Sequence, residues 1–274
     1  MPKIRANNIT MHYEQQGSGE PLVLIPYLAA DHACYAFQVP AYARFFTCFS
    51  LDLRGTGETE NPSGAHTTET LADDVAAFMH AVGIPRAHVA GVSLGAAIGT
   101  WVAAKYPDQV QSLSLHGGWP KTDAFIQTLV ESWQLMANAV GVTEMIIRGI
   151  FPWCFTPELY AAKPDYVASL ASFVRSRPAQ SVADFIHQSD AVIAHDVDAQ
   201  LGRITAPTQL TFGRYDQVTS TRFADRLKSG IRDSEVVIFD GCAHAPLYER
   251  VDEFNDKTLA FLHRHAVPAP AGRS

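Results

Sequence analysis

The chain has 274 residues, 47% hydrophobic and 18% charged, which suits one folded core with room for an insertion and excludes an intrinsically disordered chain. A formal net charge of −7, with Lys and Arg scattered along the sequence, leaves no basic patch for a polyanion, so no nucleic acid is expected as a partner. The start MPKIRANNIT lacks the apolar run of a secretory signal, and no later stretch stays apolar long enough to cross a bilayer. The expectation is therefore a cytoplasmic protein, monomer or homodimer, with no membrane partner.

In chain order, Ile4 to Gln15 alternates apolar and polar side chains and then meets Gly17-Ser18-Gly19, which predicts an antiparallel hairpin at a sheet edge. Leu22 to Ile25 is continuously apolar. Similar runs at FFTCFSLDL, HVAGV, VQSLSL, TQLTF and EVVIF predict strands buried on both faces. Between them the period becomes helical. Leu71, Val75, Phe78 and Val82 share one face, with Thr67 or Thr68 as N-cap; Leu94, Ile98 and Trp101 precede Pro107; and Val251, Phe254, Thr258, Phe261 and Leu262 line a last helix. Strands alternating with helices predict an α/β fold whose parallel sheet is covered on both faces.

The rhythm breaks between Trp119 and Ala206, where helical patterns rich in aromatics persist without a strand-like run. We expect residues 1–118 and 207–267 to form a core domain, residues 119–206 a helical cap inserted into it, and residues 268–274 a disordered tail. Cys34, Cys48, Cys154 and Cys242 stand far apart with no CxxC spacing, so no metal site follows from them. Cys242 is considered as a reactive thiol only because it lies close to His244.

The chemistry concentrates at Gly91-Val92-Ser93-Leu94-Gly95, between a predicted strand and a predicted helix. Such a turn holds a serine in a tight backbone conformation, with small neighbours letting helix and strand approach, and pushes its hydroxyl out beside the helix N-terminus. A serine needs an imidazole to take its proton as it attacks. His244 follows the strand EVVIF and precedes the last helix, at the same sheet edge. Asp216, just beyond TQLTF, completes the chain order Ser, Asp, His.

The stretches LDLRGTGETENP, GVSLGAA, FGRYDQVTS and GCAHAPLYERVDEF resemble their counterparts in the α/β-hydrolase family, in the same order and over nearly the whole chain. Small esterases, 3-oxoadipate enol-lactonases and carbon-carbon bond hydrolases are the similar members. The resemblance implies the α/β-hydrolase fold, with a mostly parallel eight-stranded sheet, helices on both faces and a cap. It also implies an acyl-enzyme mechanism on the triad Ser93, Asp216 and His244, without cofactor. It places the oxyanion hole at the N–H groups of Leu94 and Leu28, with Ala29 as neighbouring candidate. Pro26-Tyr27 replaces the usual His-Gly pair there, and Ala243 replaces the usual Gly before the histidine.

The expected substrate is a small, largely apolar ester or lactone, with Tyr27, His116, Trp119 and Trp153 as substrate-binding candidates. Packing is the competing role for Tyr27 and His116, and Asp31 and His32 are expected as a surface-loop pair. The rival activities are carbon-carbon bond hydrolysis and perhydrolysis on the same triad, and a rival of another class is a non-catalytic ligand receptor.

Overall fold

The computed structural model describes residues 2–62 and 64–267, so the tail expected to be disordered, residues 268–274, lies outside the described residues. Eight strands build one sheet: β1 (Lys3–Ala6), β2 (Ile9–Gln16), β3 (Glu20–Ile25), β4 (Phe46–Leu51), β5 (Ala87–Val92), β6 (Val110–His116), β7 (Thr208–Gly213) and β8 (Ser234–Phe239). Their order is β1-β2-β4-β3-β5-β6-β7-β8. β1 and β2 run antiparallel, and the strands from β4 to β8 pair in parallel.

Outside the region between β6 and β7, the helices are α1 (Val39–Tyr42), α2 (Thr68–Ala81) and α3 (Leu94–Lys105) in the first part of the chain. Within that region lie α4 (Ala124–Val140), α5 (Val142–Met145), α6 (Phe151–Cys154), α7 (Pro157–Ala162), α8 (Pro164–Ser176) and α9 (Val182–Ile193). α10 (Ala224–Gly230), α11 (Pro246–Glu249) and α12 (Val251–Arg264) follow. Among the described residues, no helix is long and apolar enough to cross a membrane.

The apolar runs become central strands because both faces of the sheet are covered. Along β3, Val23 and Ile25 enter one core, with Ile98 and Val102 of α3 and Phe78 of α2. Leu22 and Leu24 enter the other, with Tyr42 of α1 and Phe254 and Leu262 of α12. All four β3 side chains are fully buried, each contributing roughly 1.5–3 kcal/mol of apolar transfer. β8 departs from this expectation. It is an edge strand, with a neighbour on one side only, and its Val236 stays 37% exposed.

The N-terminal hairpin also differs from its prediction. Its turn is Asn7-Asn8, both left-handed with φ 44° and 64°, and it joins β1 to β2 in the register Ala6↔Ile9. Short amide side chains tolerate that conformation, and two such residues in succession make the turn that a twisted hairpin prefers. Gly17-Ser18-Gly19 instead carries the chain from β2 to β3, which are not neighbours, since β4 lies between them.

Helices α4 to α9 lie over the carboxyl ends of the strands as an extension of both cores. Ile126, Val130 and Trp133 of α4, at helical spacing, belong to the first core, while Phe151, Phe155 and Leu170 belong to the second. The chain direction across the sheet reverses at β3, flanked by β4 and β5. In open α/β sheets the crevice at such a reversal, outside the carboxyl ends of the strands, is where ligands bind.

Candidate active site

Ser93 occupies the single residue between β5 and α3 and holds φ 53°, ψ −116°, a conformation that L side chains rarely adopt. Close packing enforces it. A Cβ on Gly91 would lie 2.0 Å from Gly95 O, and one on Gly95 would lie 2.1 Å from Ile25 O, so helix, serine turn and β3 meet with no room for side chains. The Ser93 N–H donates to His116 O at 2.8 Å, fixing the turn to β6. Strain of this kind costs about 1–3 kcal/mol. Ser93→Gly is accordingly expected to melt above Ser93→Ala by roughly 2–6 °C, although both lack the hydroxyl. Equal midpoints in a thermal scan would show an unstrained turn.

His244 and Asp216 come together although 28 positions apart. Asp216 Oδ2 lies 2.8 Å from His244 Nδ1; a carboxylate only accepts, so Nδ1 carries the proton and Nε2 is left as the basic nitrogen. Asp216 is fixed in turn by its Oδ1, which accepts the N–H groups of Val218 at 2.8 Å and Thr219 at 3.1 Å. The Thr219 hydroxyl donates to Gly117 O at 2.8 Å and sits 3.3 Å from His244 Nδ1. Gly117, at φ 63°, leaves space for the imidazole, because a Cβ there would approach His244 Cε1 to 3.0 Å.

Both flanks of His244 are tied to the cap. The buried carboxylate of Glu249 accepts the Ala243 N–H at 2.7 Å through one oxygen, and the Thr156 N–H and hydroxyl at 3.0 and 2.7 Å through the other. The Ala245 N–H donates to Cys154 O at 3.1 Å.

Ser93, His244 and Thr219 open on one cavity of about 790 Å³, counting its mouth. Its walls are largely apolar, with Trp119, Trp133, Ile146, Ile150 and Phe151 from the cap side and Tyr27, Leu28 and Tyr248 from the core side. Ile146 and Ile150 enter it from a π-helical turn, Ile146–Ile150, a local widening frequent at functional sites. Among the described residues the Ser93 hydroxyl takes no hydrogen-bond partner, and neither do the N–H groups of Leu28 and Leu94. The Ala29 N–H, by contrast, is committed to the Oε1 of the fully buried Gln188, at 2.9 Å, which leaves Leu28 as the free amide of that loop.

Other residues singled out from the sequence are placed elsewhere. His116 lies in the core instead of the cavity wall, its ring packed on Phe254 and its Nδ1 2.8 Å from Thr211 Oγ1; burial pushes its pKa down to about 3, so it stays neutral. Trp153 packs against Phe125 on a separate, outer depression with Tyr215 and Gln217. Trp133, on the α4 stripe of Ile126 and Val130, lines the cavity together with Phe151 and Phe155. Cys242 is fully buried, and burial pushes its thiol up to about 12, so it carries no thiolate.

Asp31 and His32 are buried and not on a surface loop. Asp31 pairs with Arg177 of the cap at 2.7 Å, and His32 Nδ1 lies 2.7 Å from Asp52. Asp52 also meets His12 Nδ1 at 2.7 Å and accepts the N–H groups of His32 and Glu58. Burial opposes its charge, but the hydrogen bonds from the His32 ring, the His32 N–H and the Glu58 N–H prevail and hold its pKa below the usual carboxylate range. With four donors on two oxygens, the carboxylate has no lone pair left over for a cation, so His12, His32 and Asp52 form a hydrogen-bonded cluster that braces β2 and β4 beside the reversal point.

The comparisons with known proteins agree with this architecture. The sequence profile of the alpha/beta hydrolase fold family matches residues 20–251. RutD of Azorhizobium caulinodans, a carbamate hydrolase by name, is 27% identical over 95% of this chain and 98% of its own length. 3-Oxoadipate enol-lactonase 2 of Acinetobacter baylyi is 24% identical over 95% of this chain and 96% of its own length. The crystal structure of an enol-lactonase from Burkholderia xenovorans superposes with a TM-score of 0.87 at 23% identity, covering 96% of this chain and 100% of that one. Sheet order, the strained serine turn after β5 and a profile match spanning most of the sequence converge on one assignment: the chain belongs to the alpha/beta hydrolase family.

Proposed function

We propose that this chain is a serine hydrolase that cleaves a carboxylic ester or lactone of a small, largely apolar substrate through an acyl-enzyme on Ser93. The observation that carries this reading is a strained serine and an Asp216-oriented imidazole facing one apolar cavity with two uncommitted amides beside them. In the first step His244 Nε2 takes the Ser93 proton as Oγ attacks the carbonyl carbon. The Leu94 and Leu28 N–H groups hold the developing oxyanion, and the imidazolium returns the proton to the departing alkoxide. In the second step water attacks the acyl-enzyme with the same base, releasing the acid and restoring Ser93. The Ser93–His244 contact, open among the described residues, closes in the substrate complex, as is common for sites seen without ligand.

The matched relatives bear names of a carbamate hydrolase and an enol-lactonase, which support carbonyl cleavage as the reaction class. The distinguishing experiment is a side-by-side panel of p-nitrophenyl esters, lactones, carbamates and dienone cleavage substrates. Esters or lactones are expected to lead in kcat/KM by about a hundredfold, the scale by which a site rejects a mismatched reacting group. Faster turnover of the carbamate or carbon-carbon substrates would replace this reading.

A further inference from the structure

The cavity wall can be read proton by proton. The indole N–H of Trp119 is spent on Thr122 Oγ1 at 2.9 Å and that of Trp133 on Gly149 O at 3.1 Å, both away from the cavity. The Thr219 hydroxyl is spent on Gly117 O. Tyr248 OH donates to Cys34 O at 2.7 Å, and a carbonyl can only accept. In the Tyr27–Tyr248 contact of 2.8 Å the one phenolic proton still available is therefore Tyr27's, so Tyr27 donates to Tyr248. This chain of hydroxyls leaves the Tyr27 oxygen with unfilled lone pairs and no hydrogen to offer. Burial, together with the neighbouring Cys34, raises the Tyr27 pKa well above that of a free phenol, so the group stays neutral. No Lys, Arg, Asp or Glu lines the cavity among the described residues, and apart from the reacting centre its one uncommitted hydrogen is the weak Cys154 S–H donor.

We propose that this cavity selects a neutral substrate whose non-reacting end carries one hydrogen-bond donor, a hydroxyl or an N–H, accepted by Tyr27 Oη, and that it rejects substrates bearing a carboxylate. The inference rests on the ester-hydrolase reading and narrows its substrate class. A carboxylate entering here would lose its water without meeting a cation or any donor stronger than the Cys154 S–H, whereas a single hydroxyl would find its partner.

The test uses ω-hydroxyacyl p-nitrophenyl esters of four to eight carbons against their ω-methoxy counterparts, and the same pairing in the alcohol half of alkyl butyrates. In at least one series the wild type is expected to favour the hydroxyl ester by about tenfold in kcat/KM, the scale of one buried hydrogen bond. Tyr27→Phe is expected to bring that ratio to about one by slowing the hydroxyl ester. Tyr248→Phe frees the Tyr27 proton and is expected to bring it down by speeding the methoxy ester, a change that loss of packing does not produce. An ω-carboxy ester is expected to react at least about a hundredfold more slowly than its methyl ester.

Equal rates for hydroxyl and methoxy esters in both series, an unchanged ratio in Tyr248→Phe, or brisk turnover of the carboxylate ester would overturn the proposal. Plain p-nitrophenyl butyrate separates the two levels. If wild type does not cleave it, the hydrolase reading fails; if it is cleaved and no preference appears, this inference alone fails.

Discussion

Replacing Ser93 with alanine is expected to lower kcat for a p-nitrophenyl ester by about 10⁴-fold or more, with an unchanged circular dichroism spectrum. On the proposed mechanism the size follows from removing the atom that would bond to carbon; any residual catalysis would reflect the proposed oxyanion amides and the cavity, which the substitution leaves in place. The substitution changes one buried-edge oxygen and keeps the Ser93 N–H bond to His116 O, so the fold is retained. Stopped or steady-state assays over several esters measure it. Wild-type rates in the variant would remove Ser93 from the reaction.

Asp216→Asn is expected to cost about 10³- to 10⁴-fold in kcat with little change in KM. The side-chain oxygen of the amide can still accept the Val218 and Thr219 N–H groups, so the loop keeps its shape. Its NH₂ then faces His244 Nδ1, which must become the acceptor, and the proton shifts to Nε2, where it blocks the base. Neither charge nor tautomer is then right for catalysis. A loss below about tenfold would show that the Thr219 hydroxyl, 3.3 Å from Nδ1, or another group can orient the ring without Asp216.

Much of this arrangement is readable from local sequence because the signals are local. The β5–α3 turn announces itself through Gly91 and Gly95, whose missing side chains are required by contacts four residues away or on the adjacent strand. The continuous apolar run of β3 and the helical stripe in α2 need only short windows. The Asn7-Asn8 signal is equally local, but the Gly17-Ser18-Gly19 cluster points the expected hairpin to the wrong turn, since glycine is the stronger single-residue cue and asparagine acts here as a pair.

What the sequence hid are long-range partnerships. Glu249 reaches Thr156 across 93 positions and Tyr27 reaches Tyr248 across 221, and no periodicity encodes either contact. Asp31 and His32 read as loop residues because two polar side chains in a row favour solvent. Their burial depends on Arg177 and Asp52, partners from a cap helix end and from the strand end beyond β4. His116 and Trp153 show a related limit: a strand end or a cap aromatic lies near the site by topology, while the contacts of its side chain are decided by neighbours such as Phe254 and Phe125.

Reaction with a fluorophosphonate followed by peptide mass spectrometry tests most directly whether His244 activates Ser93 as a nucleophile. Native protein is predicted to gain a single phosphonyl group on the peptide containing Ser93, with His244→Ala slowing that gain by about 10²- to 10³-fold. Modification at a different side chain, or an undiminished rate without the imidazole, would contradict it.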